Sequence, residues 1–488
     1  MRGGTAAILL GLAGAVCLPS RAVANEWTDI ASAFDDNNPI NIFLGVDYLF
    51  EARRAAIKRE LSGVKDIPAP PDTVPIGKDL FFSQDRHVIK PHIEIGVFHD
   101  VQLGLALPIT IALNRSYDFD QRAEPCVFPK QGNMPTCIDA TNSSTLQDKL
   151  LPDGTSGKLG YDANDPLTNF DINSKTVFRS TTRSGLDQLW ISLSWAPMNQ
   201  ARDDTKPTWI LTAEFRPSIG KLMKFNTLKP TTEAGVSPGV HEFRAQTSVS
   251  KNVGWATPFV VFWWQAPIGV RGNKPGDPNG SLFWDTTSED AIGQRTTGPQ
   301  QHAGTIFGFD ATLVENAAEK QRLALEFLGK VDAHFTGLGY SEMWEVFAYA
   351  GDVTRDANAP LRIDLDPTKP GTQVISHPGV TTIENYMSFA GRVGLTGAIG
   401  SHAKFSVSFE LGRDHTHAIS YTDAGIDLPL CDSTHVAPNC ETTNDSLVTP
   451  NTREVNPLHK QLIDVAGRRY IVDETTTYSL LASGQILF

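Results

Sequence analysis

The chain has 488 residues, of which 40% are hydrophobic and 20% charged, and a formal net charge of -13. Beyond the N-terminal leader no window approaches the roughly 18 consecutive apolar residues of a membrane-spanning helix, which excludes a helical membrane protein. The acidic balance gives nucleic acid no electrostatic footprint, whereas a membrane β-barrel, in which every second residue is free to be polar, stays open.

The chain begins "MRGGTAAILLGLAGAVCLPSRAVA", with Arg2, a short apolar run and Ala22-Val23-Ala24 as an A-x-A cleavage site. Residues 1–24 therefore read as a secretory signal. A lipoprotein reading at Cys17 is weaker, because Val16 stands where such sites want a small residue. Residues 25–40, starting "NEWTDIASAFDDNNP", read as a periplasmic lead-in without a motif, and residues 41–488 as the folded domain.

The first strand is "NIFLGVDYLF". The run "EARRAAIKRE" after it reads as a short solvated helix with Glu51, Glu60 and the basic residues facing water. An alternative places Arg53, Arg54, Lys58 and Arg59 at an outer rim, against lipopolysaccharide phosphates. Next comes "VIKPHIEIGVFHD", with Ile89, Pro91, Ile93, Ile95 and Val97 on one face and Lys90, His92, Glu94 and Gly96 on the other. The stretch "VQLGLALPITIAL" then alternates from Val101 to Leu113, longer than an ordinary strand of about five or six residues. His99-Asp100 is a two-residue connection, so the pair is a hairpin.

Four more hairpins follow. "LDQLWISLSWAP" meets "TWILTAEFRP" across "MNQARDDTK", and "HEFRAQTSVSK" meets "WATPFVVFWWQAPI" at "NVG". "AGTIFGFDATLV" and "RLALEFLGKVDAHF" are joined by "ENAAEKQ", and "NYMSFAGRVGLTGAI" and "AKFSVSFELGRDHTH" by "GSH". With "TTTYSLLASGQILF" at the C-terminus the count is about twelve strands. Long connections near 53–88, 115–185, 218–239, 270–301, 337–381 and 418–468 alternate strictly with the short ones. Within the fifth, "MWEVFAYAG" and "PLRIDL" read as strand extensions.

Cys126 and Cys137 lie in one polar loop, Cys431 and Cys440 in another, in a chain routed to an oxidising compartment. Two local disulfides are expected. Zinc is the alternative, although neither pair has CxxC spacing.

A membrane strand needs about 9 to 11 residues, and most of these segments meet that. A structureless connection longer than about 15 residues is uncommon in a compact soluble domain, which would here need several. Alternating short turns and long loops suit an antiparallel up-and-down membrane barrel of about twelve strands, its apolar face turned to lipid. Trp190, Trp195, Trp209, Trp255, Trp263, Trp264, Tyr386 and Tyr478 lie within or at the ends of strands, as interface girdles require, with some of them left to fill the interior.

The chain ends "YSLLASGQILF", with Tyr478, Leu480, Ala482, Gly484, Ile486 and Phe488 on one face. This resembles the C-terminal assembly signal of Gram-negative outer-membrane β-barrel proteins. "IEIGVFHDVQLGLALPI" likewise resembles a hairpin recurring in barrels of that class. The resemblance implies outer-membrane localisation and recognition of the last strand, through Tyr478, Leu480, Ile486 and Phe488, by the barrel-assembly machinery. It names no subfamily.

Charged side chains on the polar rows are Lys90, His92, Glu94, Glu214, Arg216, Glu242, Arg244, Asp310, Arg322, Glu326, Lys330, Asp332, Arg392, Lys404, Glu410 and Asp414. They are expected to face the interior, because Arg or Lys toward lipid costs about 2 to 4 kcal/mol near the midplane. Twelve strands fall between filled small barrels and open porins. The leading expectation is a porin-like channel for small polar solutes, with no cofactor and no enzymatic chemistry. The competing one is a non-conducting barrel whose charges form a structural network and whose loops bind an envelope partner. For an enzyme or a metal site, the best local candidate is Asp414, His415, His417 and Ser420, but period two separates Asp414 from the two histidines.

Overall fold

The computed structural model describes residues 27–31, 41–62, 74–123, 126, 136–272, 280–283, 298–316, 321–364, 371–372, 374–400, 402–424, 431, 433–434, 436 and 458–488. The expected signal at 1–24 lies outside them. Twelve long strands form one antiparallel barrel. In chain order they are Ile42–Glu60, Ile76–Phe98, Val101–Ala106 continued by Ile109–Phe119, Arg183–Leu186 continued by Trp190–Met198, Thr208–Arg216, Val240–Ser250, Ala256–Val270, His302–Asn316, Gln321–His334, Tyr386–Ile399, Ala403–Asp414 and Tyr470–Leu487. Each pairs with the next, and the last pairs with the first, Phe43 opposite Leu487 and Arg59 opposite Tyr470, so the wall has no free edge.

The wall is inside-out relative to a soluble protein. Leu44, Val46, Leu103, Leu105, Leu193, Phe262, Phe307, Phe389, Val393, Val407, Phe409, Leu480 and Ile486 are exposed, while Asp310, Glu326 and Arg392 are buried. Trp195, Trp255, Trp264 and Tyr478 point outward, whereas Trp190 takes the cations of Lys90 and Arg216 on its ring and Trp263 that of Arg244, inside the barrel. Such an apolar band around a charged interior is stable only in hydrocarbon. Placing a charge on it is expected to be costly: Val407→Arg should lower folding stability by about 2–4 kcal/mol, read as a lower urea midpoint for refolding into lipid vesicles.

Two features of the first strands depart from expectation. The alternation from Val101 to Leu113 is interrupted at Leu107 and Pro108, since proline has no N–H for the ladder. A bulge follows, leaving Thr110 opposite Val88 and Ala112 opposite His87. The parity flips there, so Ile111 is exposed but Leu113, opposite Arg86, is buried.

The run "EARRAAIKRE" is strand, and the loop expected at 53–88 contracts to 61–75. Pairing on both sides, with Ser83 and Thr476 flanking Arg54, outweighs the run's helical propensity. Its alternation was present but masked by charge: Arg53, Ala55, Ile57 and Arg59 point inward and are held by partners there. Arg53 lies 2.6 Å from both Glu342 and Asp414, and Arg59 2.5 Å from Asp148.

Because the first three strands and the last extend past the membrane band, they wall a cap built by the long loops. Its core includes Ile57, Leu80, Phe82, Tyr117, Phe119, Leu146, Leu150, Tyr161, Phe178, Phe347, Ile419, Ile463, Tyr470 and Val472. "MWEVFAYAG" is not a strand extension but the centre of this core. Trp344–Gly351 is a helix whose every residue is buried, so no polar face was needed to announce it. "PLRIDL" does contribute a short strand, Ile363–Asp364, paired with Val374–Ile375. Cys126 and Cys137 form a disulfide, which removes the zinc reading for that pair; Cys431 is also disulfide-bonded, and Cys440 lies outside the described residues.

His377 sits against Gly351 in this cap, 2% exposed, its Nδ1 accepting the Gly379 N–H at 3.0 Å. Burial, with the nearby Lys460 charge, pushes its pKa down to about 3. A folded pKa below the unfolded one means the unfolded chain binds the extra proton. Cap stability should therefore be full above about pH 6.5 and fall by up to about 1.4 kcal/mol per unit as pH drops below it. Hydrogen exchange of 344–351 at pH 7 and pH 5 reads this, and His377→Asn should flatten the difference.

Candidate functional site

The barrel interior gathers most of the molecule's charge, and geometry divides it into three levels. At the periplasmic mouth, beside the short turns, the segment Trp27–Ala31 runs into the lumen without joining the wall. Thr28 Oγ1 lies 2.6 Å from Ser250 Oγ, and the Ala31 N–H donates to Gln102 Oε1 at 2.6 Å. Asp29 pairs with Lys404, and the Arg392 guanidinium lies 5.5 Å from the centre of the Trp27 ring. Ile30 packs on Ala196 and Ile210. A polar cavity of about 150 Å³, lined by residues including Asp29, Asn199, Gln200, Ser250 and Thr257, remains beside it. Of the stretch 25–40 read as a lead-in, residues 27–31 stand against the inner wall, where Trp27 and Asp29 have their partners; 25, 26 and 32–40 lie outside the described residues.

Along the wall the charged rows meet across strands. Lys90 is 2.9 Å from Asp47 Oδ2, and His92 Nδ1 lies 3.7 Å from the same oxygen. Gly45 permits this, since a Cβ there would stand 2.3 Å from the His92 ring. Arg216 binds Glu214 at 2.5 Å and Gln265 at 3.0 Å, and its guanidinium lies 4.0 Å from the Trp190 ring centre. Glu242 accepts from Gln188 at 2.8 Å, and Arg244 lies over Trp263 at 4.4 Å. Arg392 pairs with Glu326 at 2.8 Å and Lys330 with Glu410 at 2.5 Å. Arg322, beside the short turn, reaches Thr312 at 3.2 Å, Asp310 is buried opposite Glu326, and Glu94 stands opposite Gly104. Asp332 fills the space that Gly304 leaves, where a Cβ would be 2.2 Å from its carboxylate.

The upper level belongs to the cap. Asp414 accepts from Ser388 at 2.7 Å and from Arg53 at 2.6 Å, and Arg53 ties both to Glu342 just before the buried helix. A column of rings stands beside them: His302 against His334, His334 stacked on Tyr386 at 4.2 Å, and Tyr386 on His417 at 3.7 Å. Above, Arg183 binds Glu345 at 2.8 Å, both essentially inaccessible to solvent, and donates to the carbonyls of Glu233, Gly235 and Lys224.

Most of the sixteen charged side chains of the polar rows are paired with each other or with Asp29, Asp47 and Arg53. Asp47 was legible, since period two puts it on one row with Phe43 and Gly45. Trp27 and Asp29 carried no pattern that would have found them. Asp414, His415, His417 and Ser420 do not converge: Ser420 Oγ donates to the Ile463 carbonyl at 2.6 Å, and His415 is exposed. Among the described residues no three metal-ligating side chains form a group.

Neither a protein-family model nor a curated protein matches the sequence. Among solved structures, the chain is similar to the COG4313 outer membrane channel from Pseudomonas putida F1, at 8% identity over 96% of this chain and 100% of that one, with a TM-score of 0.37. A Pseudomonas aeruginosa FadL homologue matches at 8% identity over 92% and 90% of the two chains, TM-score 0.30. The outer membrane protease OmpT from Escherichia coli matches at 9% over 94% and 100%, TM-score 0.28. A channel and a protease thus stand side by side, and the resemblance selects no activity. On its closed wall, apolar girdle and terminal strand, the protein is an outer-membrane β-barrel of the Gram-negative type.

Proposed function

We propose that the protein is an outer-membrane channel for small polar solutes, held shut by its own N-terminal segment. The observation that carries this reading is that Trp27–Ala31 fills the periplasmic mouth but belongs to no strand, and its polar partners Lys404, Gln102 and Ser250 are wall residues that would face water if it withdrew. A lumen lined by charges of both signs is a path for hydrated solutes once cleared. The segment is held by two hydrogen bonds, one ion pair, the half-buried Trp27 ring and Ile30, contacts few enough to be reversible.

Trp27→Ala/Asp29→Asn in the full chain removes the ring and the carboxylate. Single-channel recordings in planar bilayers should show rare openings for the native chain and stable conductance steps for the variant. Silence from both, in protein whose gel migration is heat-modifiable as for a folded barrel, sinks the channel reading.

One observation favours a second reading. The cap has a continuous buried core with a fully buried helix and the Arg183–Glu345 pair, more than a movable lid needs. A non-conducting barrel presenting this cap to an envelope partner would have that construction, and is what silence from both proteins would leave.

A further inference from the structure

Among the described residues an apolar patch interrupts the charged interior beside Trp27. Phe259, Val261, Ile306 and Leu328, from three adjacent strands, cluster on the inner face, each at 6% exposure or less, and the Trp27 ring packs against them. Arg392 approaches that ring, and two residues further along the chain the Asp29 carboxylate pairs with Lys404. Thr28 between them is tied to Ser250. Within three residues the segment therefore presents an aromatic ring to an apolar wall with a cation beside it, and a carboxylate to a second cation.

We propose that this part of the lumen is a binding site for small aromatic carboxylates, and that Trp27-Thr28-Asp29 occupies it as an internal stand-in for that ligand. The proposal rests on the channel reading for its use, which is to let such solutes displace the segment and pass. Two recognition elements act together. Removing a ring from water onto Phe259, Val261, Ile306 and Leu328 is favourable in proportion to the apolar area buried, and Arg392 adds attraction to the ring's π face. Glu326, 2.8 Å from Arg392 Nε, holds the guanidinium in place for that contact. Lys404 then selects a carboxylate through a charge-assisted hydrogen bond. A neutral arene satisfies only the first element and an aliphatic acid only the second. Apolar side chains on four inward positions are hard to explain in a purely polar pore, and a ring-bearing occupant accounts for them.

The test is equilibrium binding by titration calorimetry on the detergent-solubilised full chain and on its Trp27→Ala/Asp29→Asn variant, with indole-3-acetate, indole and acetate as probes. The variant should bind indole-3-acetate at least about tenfold more tightly than the native chain does, and at least about tenfold more tightly than it binds indole or acetate. Adding Lys404→Gln should erase the preference over indole. Equal binding of the three probes, or equal binding by native chain and variant, overturns the proposal. Should the double variant fail the heat-modifiability check, Asp29→Asn alone frees Lys404 while the Trp27 ring stays in place: it should bind acetate and indole-3-acetate equally, each more tightly than the native chain does, and no gain for either carboxylate overturns the proposal. Current is recorded separately: selective binding without conductance keeps the site and sinks the channel, while conductance without probe preference does the reverse.

Discussion

Replacing Arg183 with alanine is expected to destabilise the cap by about 3–5 kcal/mol, because it strands the Glu345 carboxylate in a dry core. Arg183 and Glu345 are 1% and 0% exposed, so water cannot replace the lost partner. The guanidinium also carries the carbonyls of Glu233, Gly235 and Lys224 and lies 4.8 Å from the Trp344 ring centre, so the 217–239 loop and the helix lose a common tie. The barrel wall shares few of these contacts. The expected outcome is a split: rapid proteolysis of the 217–239 and 335–385 loops on intact cells, with heat-modifiable migration of the barrel preserved. A variant as protease-resistant as the native protein would mean that the pair contributes little to holding the cap. Replacing both residues with apolar ones of similar volume, Arg183→Met with Glu345→Leu, should recover much of the loss, since the penalty comes from the stranded charge.

Phe347→Ala should cost a similar amount, about 3–5 kcal/mol, by a different route. Phe347 is fully buried, 5.3 Å from the Tyr470 ring and inside the largest apolar cluster of the protein. Tyr470 begins the last barrel strand and also bonds Thr145 at 2.9 Å, so a cavity at this point loosens both the helix and the extended wall. Hydrogen exchange should quicken in 344–351 and 470–473 and stay slow in 476–487. Uniform quickening along the whole strand would instead mean that cap and barrel unfold together.

The departures from expectation have physical causes in particular residues. Period-two alternation pointed to most of the wall strands, because a wall between lipid and a polar interior leaves most residues only one permissible face; it blurred around Phe259 to Trp264, where inner Phe259 and Val261 and outer Phe262 and Trp264 are all apolar. It failed where that constraint ends. Above the membrane both faces of "EARRAAIKRE" accept charge, one toward water and one toward Glu342, Asp414 and Asp148, so the run looks helical on paper. At Pro108 the missing N–H breaks the ladder and the bulge after it reverses the parity, which no count of alternating residues foresees. In "MWEVFAYAG" every side of the helix is buried, Glu345 by its pair with Arg183, and a helix so placed shows no solvent-facing stripe.

The sequence by itself carried the barrel class, about twelve strands and the alternation of apolar and polar rows, since each is a local pattern repeated under one solvent constraint. Tertiary structure alone decided that Trp27 and Asp29 stand against the inner wall, that the loops above it share one core, and which charge pairs with which. Some of those contacts join residues far apart in the chain, 375 positions between Asp29 and Lys404. They depend on a closed wall and a fixed register that exist only once the chain has folded.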